Sequence, residues 1–114
     1  MIQAKRVYEA PAAEDGYRVL IDRLWPRGLS KSRAKVDLWL KDVAVSDALR
    51  RWYGHDVAKW PEFRKRFMAE LRKKPGALSA IKKLADEHGT VTLLFGAKDA
   101  RHCNATVLIE MLKK

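Results

Sequence analysis

The chain has 114 residues, a length that fits one domain with its own hydrophobic core. A composition of 47% hydrophobic and 33% charged residues excludes a disordered chain, and the single cysteine, Cys103, excludes an intramolecular disulfide. The formal net charge of +10 attracts anionic ligands and polyanions, although the basic residues are spread along the chain rather than gathered in a tail.

Targeting and membrane segments are not evident in the sequence. The longest apolar run, Val91 to Ala97, is far shorter than the roughly 20 residues needed to cross a bilayer. No apolar stretch of signal-peptide length follows the basic residues near the start. The sequence therefore predicts a cytoplasmic protein with no membrane partner.

The first 40 residues show the alternation of β-strands. Strands are predicted over 2–8, over Tyr17 to Leu24, which has apolar residues on both faces, and over 36–40. Asp15-Gly16 is a turn signal, and a polar, basic loop is expected over 28–35.

Helices are predicted from position 46 onward. Ser46 is a suitable N-cap and Gly54 a suitable stop for one helix. Two longer helices are expected at Pro61 and at Pro75, and the second should end at Gly89.

A strand–turn–helix unit completes the chain. Thr90 to Phe95 is nearly continuously apolar, as in a strand buried on both faces, and Asp99 is predicted to cap a final helix. The order of elements predicts a single α/β domain over 1–114, with a small mixed sheet of three to four strands and helices packed on it.

The segment from Asp22 to Gly28 is the first candidate site, because charge at a strand end lies at the rim of a sheet. Asp22 could act as a general acid or base, and Arg23 and Arg27 could hold a phosphate or carboxylate through bidentate hydrogen bonds. Gly28 would let the backbone approach a ligand, and Trp25 is the best candidate for a ligand-facing aromatic. An Asp–Arg pair that ties the loop to the sheet would explain the same residues.

The turn after the last strand is the second candidate site, because ligands of open α/β sheets bind outside the carboxyl ends of the strands. The start of the following helix presents free backbone N–H groups. Lys98, Arg101 and His102 add positive charge beside Asp99. An ordinary helix capped by Asp99 would explain this turn equally well.

No metal site and no cofactor are predicted. His102 and Cys103 are adjacent and cannot easily reach one metal ion, and no second cysteine or matched histidine pair lies near them. Cys103 near a helix N-terminus could be a nucleophile, although a buried small thiol is the more common role.

Four segments together resemble the DUF488 family, in its short YeaO-like branch: Val19 to Gly28, Trp39 to Asp42, Leu49 to Asp56 and Thr92 to Asp99. The Asp-Arg-Leu-Trp-Pro-Arg-Gly run is highly specific, and the resemblance covers nearly the whole chain. It implies a compact α/β domain of unknown function.

The resemblance also implies that the two candidate sites are one, which would unite Asp22, Arg23, Arg27, Lys98 and His102. The sequence departs from the branch at one position. Asn usually follows the position of His102, whereas this chain has Cys103 there and Asn104 next. A ligand contact made by that Asn in relatives would be altered here.

The first functional hypothesis is an enzyme that acts on a phosphate-bearing or nucleotide-like small molecule. Its catalytic residues would be Asp22, Arg23 and His102, and its ligand would be bound by Trp25, Arg27, Gly28, Lys98, Asp99 and Arg101. A nucleic-acid-binding module without chemistry is one alternative, motivated by the net charge and the basic loop. A non-catalytic domain that senses a small ligand is the other.

Overall fold

A four-stranded parallel sheet forms the centre of the computed structural model, which describes residues 1–113. The strands are β1 (Ile2–Arg6), β2 (Tyr17–Leu20), β3 (Leu38–Trp39) and β4 (Val91–Phe95). Their spatial order is β1-β4-β2-β3, and each neighbouring pair is parallel. The carboxyl ends of these strands therefore meet at one edge of the sheet.

Local capping chemistry sets the bounds of several helices. The helices are α1 (Lys31–Ala34), α2 (Asp47–Tyr53), α3 (Trp60–Arg72), α4 (Pro75–His88) and α5 (Asn104–Leu112). The Ser46 hydroxyl accepts the Leu49 N–H at the start of α2, and Gly54 ends that helix at a φ of 54°. Pro75 begins α4 and Gly89 ends it, as predicted. Within residues 1–113, no helix has the length and apolarity to span a membrane.

Hydrophobic cores of unequal size cover the two faces of the sheet. Val19 and Leu93 belong to the larger core, which includes side chains of α2 to α5. Their chain neighbours Leu20 and Leu94 belong to the smaller core, with Ala34 of α1. Side chains alternate across a strand, so β2 and β4 carry apolar residues on both faces. The α/β prediction is confirmed.

A buried ion cluster fastens the first loop to the smaller face. The Asp15 carboxylate accepts hydrogen bonds from Arg18 Nη1 at 2.5 Å and from Lys5 Nζ at 3.1 Å. Arg18, 4% exposed, also donates to the carbonyls of Ala34 and Lys35 at 2.8 and 3.1 Å. Burial alone would raise the pKa of Asp15, but hydrogen bonds from Ala12, Lys5 and Arg18 outweigh it and lower that pKa.

The sheet is parallel rather than mixed, and this corrects the expected topology. Residues 21–37 with α1 separate β2 from β3, and α2, α3 and α4 separate β3 from β4. Such long connections bring the chain back to the end of the sheet where the previous strand began, so that the next strand can run parallel to it. Two antiparallel strands, by contrast, can be joined by a tight hairpin.

Several predicted bounds are also wrong. Strand β2 ends at Leu20 rather than Leu24, because the chain turns at Asp22. The Asp22 carboxylate accepts a hydrogen bond from the Gly96 N–H at this turn. The final helix begins at Asn104 rather than after Asp99, whose carboxylate instead closes a turn by accepting the Arg101 and His102 N–H groups. The basic loop over 28–35 contains the short helix α1.

The buried cluster predicts a pH-dependent loss of stability in Asp15→Asn. At pH 7 the variant should lose about 3–5 kcal/mol in the free energy of unfolding, because the buried Arg18 loses its carboxylate. Because the pKa of Asp15 is lowered in the folded state, the stabilisation by its carboxylate is present above about pH 4 and is lost as the pH falls further.

Urea denaturation between pH 7 and pH 3 measures the effect. The stability difference between the wild type and Asp15→Asn should narrow below pH 4. Asp86→Asn, on the exposed surface of α4, is the matched control and should change stability little. A difference that stays constant with pH would contradict the assignment.

Candidate functional site

A cleft of about 440 Å³ opens at the carboxyl edge of the sheet. One set of lining residues follows the strands. A second set comes from the C-terminal end of α2, from α3 and from the N-terminal end of α5. The lining comprises Tyr8, residues 22–27, Val45, residues 50, 51 and 53–55, Phe63, and residues 96, 97, 103 and 104. Its position, outside the ends of β2 and β4, is the usual ligand position in an open α/β sheet.

The Asp22 carboxylate connects three chain segments at this cleft. Its Oδ2 accepts the Gly96 N–H after β4 at 2.8 Å, and its Oδ1 accepts the Asn104 amide at the start of α5 at 2.8 Å. A Cβ on Gly96 would lie 3.2 Å from Oδ2, so a glycine suits this close approach. Burial raises the pKa of Asp22, and the hydrogen bonds from Asn104 and Gly96 offset part of that rise.

Guanidinium groups give the cleft a positive charge. Of the described residues, Arg23, Arg27, Arg50 and Arg51 line it, against the single carboxylate of Asp22. Arg23 Nε donates to the Val45 carbonyl at 3.2 Å, and the charge of Arg23 contributes to lowering the pKa of Asp47. Arg50 and Arg51 are both held by Asp47, at 2.7 and 2.9 Å.

Aromatic and apolar side chains line the cleft near its mouth. The Tyr8 hydroxyl donates to the Arg27 carbonyl at 3.0 Å, and Trp25 Nε1 donates to the Leu29 carbonyl at 2.6 Å. Trp25 also packs edge-on against Trp39, with ring centroids 5.5 Å apart. Hydrogen bonds at the polar ends of both rings therefore fix their orientation before any ligand binds.

The structure brings together part of the residue set expected from the sequence. Asp22, Arg23, Trp25 and Arg27 line the cleft, whereas Gly28 and the residues of the 98–102 turn do not. His102 Nδ1 lies 2.8 Å from Asp99 Oδ2, and its ring packs edge-on against Trp60. Lys98, Arg101 and Gly28 are exposed outside the cleft lining. Roles for these residues remain predictions from the sequence.

Other lining residues had not been singled out from the sequence. Arg50, Arg51 and His55 come from the end of α2 and the residues after it, where periodicity shows a helix and its stop but no site. His55 has a φ of 58° directly after Gly54 at 54°, an uncommon conformation for a non-glycine residue. The one available signal was that the DUF488 resemblance includes this segment.

Cys103 and the potential metal ligands were also considered from the sequence, and the structure describes their surroundings. The thiol is buried, and its Sγ lies 3.7 Å from the Ala100 carbonyl and 3.8 Å from Thr106 Oγ1. Burial raises the pKa of Cys103, which disfavours the reactive thiolate. Among residues 1–113, no three His, Cys, Asp or Glu side chains come together as metal ligands.

The contact between Asp22 and Asn104 predicts a pH-dependent cost for Asn104→Ala. The variant should lose about 1–3 kcal/mol of stability at pH 7, because a partly buried carboxylate oxygen loses its donor. Without that donor the folded-state pKa of Asp22 rises further, so the loss of stability should grow as the pH rises and shrink as the pH falls and Asp22 binds a proton.

Urea denaturation of Asn104→Ala across pH 4 to 7 tests this expectation. The matched background is Asp22→Asn, in which position 22 no longer titrates. There the cost of Asn104→Ala should not depend on pH. A pH-independent cost with Asp22 present would show that the hydrogen bond does not depend on the carboxylate charge.

Comparisons with known proteins extend over essentially the whole chain. The chain is 39% identical over 114 residues to the uncharacterized protein YeaO of Escherichia coli K12, covering 98% of this chain and 96% of that protein. It is 38% identical over 111 residues to the uncharacterized protein Mb3100c of Mycobacterium bovis and to Rv3073c of Mycobacterium tuberculosis, covering 97% of this chain and 92% of each of them.

No solved structure matches the chain at comparable significance. A family model described as the inactive DUF488-N3 subclade, DUF488-N3i, matches residues 1–114. The resemblance seen in the sequence is thereby confirmed, and the chain belongs to the DUF488 family.

Proposed function

We propose that the cleft binds a small phosphate-bearing molecule without converting it. The observation that carries the proposal is the set of arginines around the cleft. Among the described residues, Arg23 and Arg27 line it without an ion pair to a carboxylate within 4.0 Å, although the Arg23 charge helps to lower the pKa of Asp47, and Arg50 and Arg51 share the carboxylate of Asp47.

Arginine is suited to phosphate because its planar guanidinium donates two parallel hydrogen bonds and stays charged at any physiological pH. Arg23 is already oriented by the Val45 carbonyl, which reduces the side-chain entropy lost on binding. The volume of about 440 Å³ falls within the range of roughly 300–1,000 Å³ that is typical of small-molecule sites.

Binding without conversion is favoured over catalysis by the positions of the titratable groups. Asp22 uses both carboxylate oxygens to join Gly96 and Asn104, as a structural residue does. His102 lies outside the cleft lining and pairs with Asp99. His55 does line the cleft, but no hydrogen bond within residues 1–113 orients its ring, whereas a catalytic imidazole is usually oriented by a third group. Membership of a subclade described as inactive agrees with this preference.

Nucleic-acid binding is the second candidate, and the net charge of +10 is the observation that favours it. The two functions differ in their salt dependence. A protein that neutralises several phosphates loses affinity steeply as salt rises, whereas one phosphate in a cleft gives a shallow slope.

Arg27→Ala is expected to weaken binding of ribose 5-phosphate about ten- to a hundredfold, the equivalent of about 1.5–3 kcal/mol for a charge-assisted hydrogen bond. The matched control is Arg72→Ala, which removes the same charge at the far end of α3, nine residues and about 14 Å beyond Phe63. Isothermal titration calorimetry measures both affinities.

Two results would overturn the proposal. Equal losses in Arg27→Ala and Arg72→Ala would indicate a general charge effect rather than a site in the cleft. Conversion of the bound compound, followed by ³¹P NMR and abolished in Asp22→Asn, would indicate an enzyme with Asp22 as its acid or base.

A further inference from the structure

We infer that the ligand carries an aromatic base next to its phosphate, as a nucleoside 5′-monophosphate does, and that the base packs on Tyr8 and Leu24 at the cleft mouth. This inference rests on the proposed function, because it names the ligand class of the same cleft. It adds a second recognition element, which the arginines alone do not require.

The first observation is the exposure of apolar side chains at the mouth. The large hydrophobic residues that are exposed within 1–113 are Met1, Tyr8, Leu24 and Val57, and two of these four line the cleft. Leu24 is 61% exposed although it follows a buried strand, and Tyr8 is 43% exposed. Apolar surface beside a polar cleft is covered when a ligand with an apolar face binds.

The second observation is that the Tyr8 ring is held in place while it remains exposed. Its hydroxyl donates to the Arg27 carbonyl, and the Arg6 guanidinium carbon lies 5.4 Å from the ring centroid. Arg6 is itself fixed by a 2.9 Å hydrogen bond from its Nε to the Ala97 carbonyl. A ring oriented in advance loses little entropy on stacking, so it is a suitable platform for a planar group.

The third observation is the short separation between the two recognition elements. The Arg27 carbonyl accepts the hydrogen bond of Tyr8, and Arg27 itself lines the cleft, so the aromatic wall and a cationic residue meet at one position. A base and a phosphate joined through one sugar match this arrangement. A bare sugar phosphate would satisfy the arginines but leave Tyr8 and Leu24 uncovered.

Comparison of three ligands tests the inference: adenosine 5′-monophosphate, ribose 5-phosphate and inorganic phosphate. By calorimetry, adenosine 5′-monophosphate should bind about tenfold or more tightly than ribose 5-phosphate, since stacking of one base supplies that factor. Tyr8→Ala and Leu24→Ser should each lower the ratio of the affinity for adenosine 5′-monophosphate to the affinity for ribose 5-phosphate.

Val57→Ser is the matched control, because it removes an exposed apolar side chain outside the cleft and should change no affinity. Leu24→Ser keeps the test valid if Tyr8→Ala fails to fold. Equal affinities of the wild type for the nucleotide and the sugar phosphate would overturn this inference and leave the proposed function standing.

Two further outcomes would show that the cleft binds no phosphate compound or that it binds the end of a nucleic acid. Failure of all three ligands to bind would overturn the proposed function, and the inference with it. Tighter binding of a 5′-phosphorylated trinucleotide than of adenosine 5′-monophosphate would assign the cleft to the end of a nucleic-acid strand and overturn the assignment to a free nucleotide.

Discussion

The hydrogen bonds of the Asp22 carboxylate are the constraint on which the site depends. Asp22 follows β2, Gly96 follows β4, and Asn104 begins α5, so one side chain holds the ends of two neighbouring strands and a helix together. The hydrogen bond that each oxygen accepts offsets part of the cost of removing the charge from water. The cleft opens where these segments meet.

The positive charge of the cleft depends on a different set of contacts. Arg50 and Arg51 sit on one turn of α2 with Asp47, which Ser46 precedes as the N-cap. Ser46 is in turn held by Glu70 of α3, whose carboxylate accepts both its N–H and its hydroxyl. The packing of α3 therefore fixes where α2 begins and where its arginines lie. The positions of Arg50 and Arg51 at the cleft therefore depend on Asp47, Ser46 and Glu70 as well as on the arginines themselves.

The placement of the histidines is one reason for proposing binding rather than catalysis. His102 is in the turn expected to join Asp22, yet it pairs with Asp99 and packs on Trp60. His55, which stands alone in sequence, lies in the cleft lining instead. The difference arises because α5 begins at Asn104, so the preceding turn folds on itself rather than toward the strand ends.

The sequence by itself determined the α/β class, the apolar strands β2 and β4, and the bounds of helices with clear caps such as Ser46, Gly54 and Pro75. These features rest on periodicity and on hydrogen bonds between residues close in the chain, which the local sequence contains. It also placed Asp22, Arg23, Trp25 and Arg27 at a strand end. Only the tertiary structure decided that the sheet is parallel, that α2 contributes Arg50, Arg51 and His55, and that the 98–102 turn stays outside the cleft. Those outcomes depend on how helices pack across the sheet, through contacts between residues far apart in the chain.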